Sequence, residues 1–93
     1  MKLLTSDEIL VFKGKLQPDW IIFEDKKLQK EFQFNDVIDV IAFVNKIDFI
    51  AEKENHHPDI SIRYRKVLVE LTTHSIHGLS EKDFNLAAKI DNL

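Results

Sequence analysis

Between Asp36 and Asn55 the chain carries no glycine and no proline, and Val37, Val40, Ile41, Val44, Ile47 and Ala51 recur at three- and four-residue spacing, with Phe43 and Ile50 widening the stripe. That period is helical, so the segment is one long amphipathic helix whose apolar stripe lies across a sheet. Asn35-Asp36 start it, with Asp36 and Asp39 favourable at the positive end of the helix dipole. Pro58 stops it, because the residue before a proline avoids helical backbone.

The segments on either side alternate with period 2, as half-buried strands do. Trp20–Phe23 is a run of β-branched and aromatic residues. Beyond the charged Glu24-Asp25-Lys26 turn, Leu28, Phe32 and Phe34 alternate with Gln29, Glu31 and Gln33, and Lys30 breaks the pattern. These two runs form an antiparallel hairpin. After the helix, Ile60, Ile62 and Tyr64 alternate with Ser61, Arg63 and Arg65, and Val67, Val69 and Leu71 with Leu68, Glu70 and Thr72. This is a second hairpin, joined tightly around Arg65. A short first helix begins at a Thr5/Glu8 capping box, carries Ile9, Phe12 and Leu16, and stops near Gly14. A last helix is capped by Ser80 with Asp83 and buries Leu86, Ala87 and Ile90 beside Phe84. The order is α-β-β-α-β-β-α: a single α+β domain over residues 1–93, with a four-stranded, mainly antiparallel sheet and helices packed on one face.

Ninety-three residues with 44% hydrophobic content support one core. The absence of cysteine removes disulfides, thiolate metal sites and cysteine nucleophiles. A net charge of −3 with interspersed signs argues against a nucleic-acid binder. No apolar stretch is long enough to span a membrane, and MKLLTSDEI is too short in apolar residues for a secretory signal. The expected location is the cytoplasm.

The pattern breaks once, at Glu52–Asp59, EKENHHPD, which sets His56 and His57 between carboxylates and before Pro58. A lone histidine is more often structural than catalytic. Here, however, the two are adjacent and lie between a helix and a strand, where function often resides. His74 ends the second strand of the same hairpin, whose ends meet in space, so His56, His57 and His74 should be neighbours. Adjacent residues of an extended segment point apart, and zinc spacings such as H-E-x-x-H are absent. A metal is left only the combination of one of the pair with His74 and a carboxylate. Acid–base chemistry needs no metal, and imidazole titrates in the useful range. As loop residues the three histidines are expected to contribute little to stability. His77 reads as surface, Trp20 as core, Tyr64 as a strand residue at the rim, and Asp83 is accounted for by its cap.

Glu52, three residues, His56-His57-Pro58, five residues, Tyr64, nine residues, His74, eight residues, Asp83: this spacing resembles the signature of the pterin-4a-carbinolamine dehydratases. EKENHHPD and HGLSEKDFNLA are also similar to the family's sequences, and the deduced element order is similar to its fold. Ile60 departs from it, standing where some relatives carry tryptophan, and Asp19 stands where glycine is usual. The resemblance implies removal of water from 4a-hydroxytetrahydropterin to give quinonoid dihydropterin, with the pterin as substrate and no cofactor. It implies His56, His57 and His74 as catalytic residues, the first and third as acids from opposite sides and His57 orienting the pterin. Glu52, Pro58, Tyr64 and Asp83 would bind or orient. It further implies a link to a pterin-dependent aromatic amino acid hydroxylase and a homodimer or homotetramer. The alternatives are a non-catalytic dimerisation or assembly module, or a pterin-binding protein of molybdenum-cofactor metabolism.

Overall fold

In the computed structural model, which describes residues 1–93, the elements are α1 (Ser6–Lys13), β1 (Ile21–Phe23), β2 (Lys27–Gln33), α2 (Val37–Glu54), β3 (Asp59–Arg63), β4 (Lys66–Leu71) and α3 (Glu81–Asp91). A single 3-10 turn, His74–Ile76, lies between β4 and α3. All strand pairs are antiparallel, in the order β1-β2-β4-β3. The chain therefore leaves β2, crosses the sheet as α2, enters at the far edge as β3 and returns beside β2 as β4.

The register settles which side is core. Leu28 pairs with Leu71, Lys30 with Val69 and Phe32 with Val67, while Ile60 and Ile62 pair with Val69 and Val67. Directly opposed residues share a face, so these side chains all point toward the helices. There Leu28, Phe32, Ile60, Val67, Val69 and Leu71 pack with Ile9 of α1, Val40 and Ile47 of α2, and Phe84, Leu86, Ala87 and Ile90 of α3 in one cluster, while Ile62, on the edge strand, stays exposed.

Lys30, the residue that interrupts the alternation, sits on this core face and is nearly closed off from solvent. Its ammonium lies 2.7 Å from Asp91 Oδ1 and 3.2 Å from Asp19 Oδ1. It also rests over the rings of Trp20 and Phe32, at 5.6 and 4.8 Å from their centroids. The Trp20 indole N–H donates to the other Asp91 oxygen at 2.8 Å. The end of α3 is thus tied to the sheet through a paired buried charge, the condition under which a buried charge is tolerated.

α2 is narrower on its buried side than its apolar residues suggest. Val40, Ile47 and Ala51 are buried, but Val37 and Ile41 are exposed, contrary to the stripe expected from sequence. At about 100° per residue, Ile41 lies a quarter-turn from Val40, and Ile38 and Phe49 face away from the sheet altogether. Ile38 and Phe49 are accordingly 77% and 65% exposed.

On the helix-free face, Glu70 accepts from Gln29 Nε2 at 2.6 Å and lies 3.2 Å from Lys27 Nζ, with Asp59 directly opposite on β3. The Gln29 hydrogen bond, aided by Lys27, holds its carboxyl below the ordinary value of 4.5. A carboxyl whose pKa is lower folded than unfolded stabilises fully above its unfolded value and loses that contribution as pH falls through the folded one. Glu70→Gln is expected to cost about 1 kcal/mol near neutrality. It should also flatten the fall of stability on acidification below pH 4.5, as read from denaturant unfolding at a series of pH values.

Candidate active site

The C-terminal end of α2, the start of β3, the end of β4 and the N-terminal end of α3 meet at one end of the sheet. Asn55 makes the first bend. It caps α2 in the left-handed region at φ 51° and ψ 43°, and its N–H returns to Ala51 and Glu52 carbonyls. Asparagine is among the few residues other than glycine that take this conformation readily. The bend, with the His56 N–H bonded to the Ala51 carbonyl at 3.1 Å, sends the two histidines in different directions.

His56 turns inward. Its side chain is 11% exposed, and Nε2 lies 2.5 Å from Oδ1 of Asp83, which is fully buried. His57 stays outside, with Nε2 2.9 Å from Glu52 Oε2, both side chains exposed. Pro58, half-buried, leads into β3.

His74 follows β4 at the head of a short loop closed by Thr73 and Gly78, where the Thr73 N–H donates to the Gly78 carbonyl at 2.8 Å. Its Nε2 is 3.7 Å from Asp59 Oδ2, and its side chain is 75% exposed. The loop is clamped from the other side by the N-terminal segment, through the Leu4 N–H to the Leu79 carbonyl at 2.9 Å. Leu3 occupies the space a Cβ on Gly78 would fill, its Cδ1 lying 2.5 Å from that point.

Asp83 performs two tasks with two oxygens. Oδ2 accepts from the Ser80 N–H at 2.9 Å, which caps α3, and from Thr73 Oγ1 at 2.8 Å, leaving Oδ1 for His56. The cap thus accounts for only half of the carboxylate. This also revises the expectation that all three histidines matter little to stability. His74 and His57 stand in solvent, whereas His56 completes the pairing of a buried carboxylate, and stripping a partner from such a group is costly.

Glu52, His56, His57, Pro58, His74 and Asp83 therefore gather at one end of the sheet. Tyr64 does not join them. It occupies the opposite end of β3, exposed in the β3–β4 turn at φ 58° with Arg65 packed against its ring. Five residue steps of extended chain separate it from Asp59, about 16 Å at the usual rise. No cavity in the chain is lined by His56, His57 or His74, which border an open surface. One imidazole anchored on a buried carboxylate and two exposed ones can supply both a proton donor and a proton acceptor to a flat molecule laid between them.

Residues 2–93 match the model of the pterin 4 alpha carbinolamine dehydratase family. The chain belongs to that family. A protein of Nitrosospira multiformis is 53% identical over 90 residues, spanning 97% of this chain and 78% of its own. One of Picosynechococcus is 50% identical over 90 residues, 97% of this chain and 96% of that protein. Both bear the pterin-4-alpha-carbinolamine dehydratase name provisionally. The crystal structure of a transcriptional coactivator/pterin dehydratase from Brucella melitensis matches with a TM-score of 0.91 at 29% identity, covering 98% of this chain and 97% of that one. A pterin dehydratase-like protein identified as a RuBisCO assembly factor of the alpha-carboxysome shares the fold, with a TM-score of 0.67 at 22% identity over 80% of this chain and 87% of that one.

Among the dehydratase family's signature positions, Asp83 gains a physical reason that spacing alone does not give it. The hydroxyls of Thr73 and Ser80, both buried and 2.8 Å apart, lie outside the signature. The sequence marks them only faintly: Ser80 as a helix cap, and Thr73 as the residue before His74.

Proposed function

We propose that the protein dehydrates 4a-hydroxytetrahydropterin to quinonoid dihydropterin by histidine general acid–base catalysis. The reading is supported above all by His56 anchored on the buried Asp83 carboxylate at the site of the family's histidine signature. An imidazolium donates a proton to the C4a hydroxyl, the C4a–O bond breaks and water leaves. The N5–H proton passes to an imidazole acting as base, and the N5 electron pair forms the new double bond to C4a. Each turnover returns one proton to the histidines for the one given up. His56 and His74 serve as the proton-transfer pair, His57 with Glu52 orients the pterin, and the pterin itself is the only small molecule needed. Such an activity belongs in the cytoplasm beside a pterin-dependent aromatic amino acid hydroxylase, in tetrahydrobiopterin recycling.

The test is to generate the 4a-hydroxytetrahydropterin with such a hydroxylase and follow its dehydration by ultraviolet absorbance. Acceleration at catalytic amounts, lost in a His56/His74 double variant, supports the reading. A folded protein that gives no acceleration would favour a non-catalytic assembly module instead. Under the proposed division of roles, His57→Ala is expected to raise KM roughly tenfold with kcat changed far less, since it removes binding felt equally by ground and transition states.

The reading also includes self-association, supported by the apolar residues that α2 presents to solvent, Ile38, Ile41 and Phe49. Helix faces of this kind are uncommon on monomers. Sedimentation should show a dimer or tetramer that Ile38→Glu converts to a monomer.

A further inference from the structure

We propose that Thr73 is a positioning residue, whose hydroxyl fixes the Asp83 carboxylate so that His56 carries its proton on Nε2 and offers Nδ1 as the basic nitrogen. The consequence for turnover rests on the dehydratase reading; the consequence for the His56 ring does not.

The directions of the hydrogen bonds follow from the inventory of protons. An ionised carboxylate only accepts. Asp83 Oδ2 receives the Ser80 N–H at 2.9 Å and lies 2.8 Å from Thr73 Oγ1, so the Thr73 hydroxyl donates to it. Thr73 has one hydroxyl proton and has thereby used it. The contact of 2.8 Å between Thr73 Oγ1 and Ser80 Oγ must then run the other way, with Ser80 donating. The chain Ser80 to Thr73 to Asp83 has a single sense and ends on His56, where Oδ1 accepts from Nε2–H at 2.5 Å.

All three partners upstream of the ring are buried, with Thr73 4%, Ser80 1% and Asp83 0% exposed. No water need intervene, and each hydroxyl is committed. Two donors on Oδ2 prevent the carboxylate from turning about its terminal bond, which is otherwise soft. Nδ1 of His56 has no protein partner, and no side-chain nitrogen or oxygen in the interior is both closed off from solvent and unpartnered, so Nδ1 opens to the surface. The other ring nitrogen thereby sets which one reacts, as it does wherever a carboxylate fixes a histidine.

The test uses the whole protein and two variants. With the ring neutral at alkaline pH, nitrogen-15 shifts of the His56 imidazole should show the Nε2–H tautomer in the unaltered protein. Thr73→Val, which keeps the shape and removes the hydroxyl, should populate the Nδ1–H tautomer and lower kcat roughly ten- to a hundredfold with little change in KM, the usual range for partners that orient a reacting imidazole. Thr73→Ser should restore both. An Nδ1–H ring in the unaltered protein overturns the proposal, and that measurement holds even if Thr73→Val fails to fold. So does a Thr73→Val ring with unchanged tautomer, whatever its turnover. If the ring behaves as expected but the unaltered protein does not dehydrate the pterin, the proposed function falls and the role of Thr73 stands.

Discussion

His56→Gln is expected to lose about 10²- to 10⁴-fold in dehydration rate, the share that a positioned acid or base contributes, while melting close to the unaltered protein. Glutamine is chosen because of what surrounds His56. Its amide N–H can still donate to Asp83 Oδ1, so the buried carboxylate keeps a partner, but it has no nitrogen that exchanges protons near neutral pH. His56→Ala should lose the same activity and also about 1–3 kcal/mol of stability, the usual cost of leaving a buried polar group unpaired. His74→Ala differs again. The side chain is exposed and only 3.7 Å from Asp59, so stability should move by less than about 0.5 kcal/mol while turnover falls as steeply. Rates by ultraviolet absorbance and stabilities by denaturant titration separate the three. If His56→Gln retains rapid turnover, His56 is not part of the proton-transfer pair.

The largest expected effect on stability lies at the other end of α3. Asp91→Ala should cost about 3 kcal/mol, because it leaves the buried Lys30 ammonium with Asp19 alone and the Trp20 indole N–H without an acceptor. Asp19 is largely exposed and offers weaker compensation. Lys30→Met should be milder, since the apolar stem stays packed against Trp20 and Phe32 and Asp91 keeps the indole donor. A Lys30→Met/Asp91→Ala pair should recover part of the loss, as removal of a whole buried ion pair commonly does. Calorimetric or denaturant unfolding of the four proteins closes the cycle. An Asp91→Ala protein as stable as the parent would mean that Lys30 reaches solvent when Asp91 is gone.

Much of this architecture is written locally. The capping box at Thr5, the cap at Asp36, the stop at Pro58 and the period-2 runs placed every helix and strand to within a residue or two, because each signal is satisfied by near neighbours. What escaped depends on distant partners. Lys30 looks like a defect in its strand until Asp91 is brought beside it. Val37 and Ile41 look buried because an apolar helix residue does not declare how wide the sheet beneath it is. The site divides the same way. The histidines and Asp83 were legible through their spacing, whereas Thr73 gave no sign of its contact with Asp83, and Tyr64 sits in the signature yet folds to the opposite end of β3.

The last helix is held at both ends by polar latches, Lys30 and Trp20 on Asp91 at its finish and His56 and Thr73 on Asp83 at its start. One of these latches also holds His56, the residue proposed above for proton transfer. A partial opening that lifts α3 off the sheet, far short of global unfolding, would therefore extinguish the site as a unit. The amide protons of α3 should exchange through one shared opening event. Occupancy of the surface beside His56 would slow that exchange by mass action, so the solvent-exchange rate of the C-terminal helix becomes a remote gauge of what is bound at the histidines.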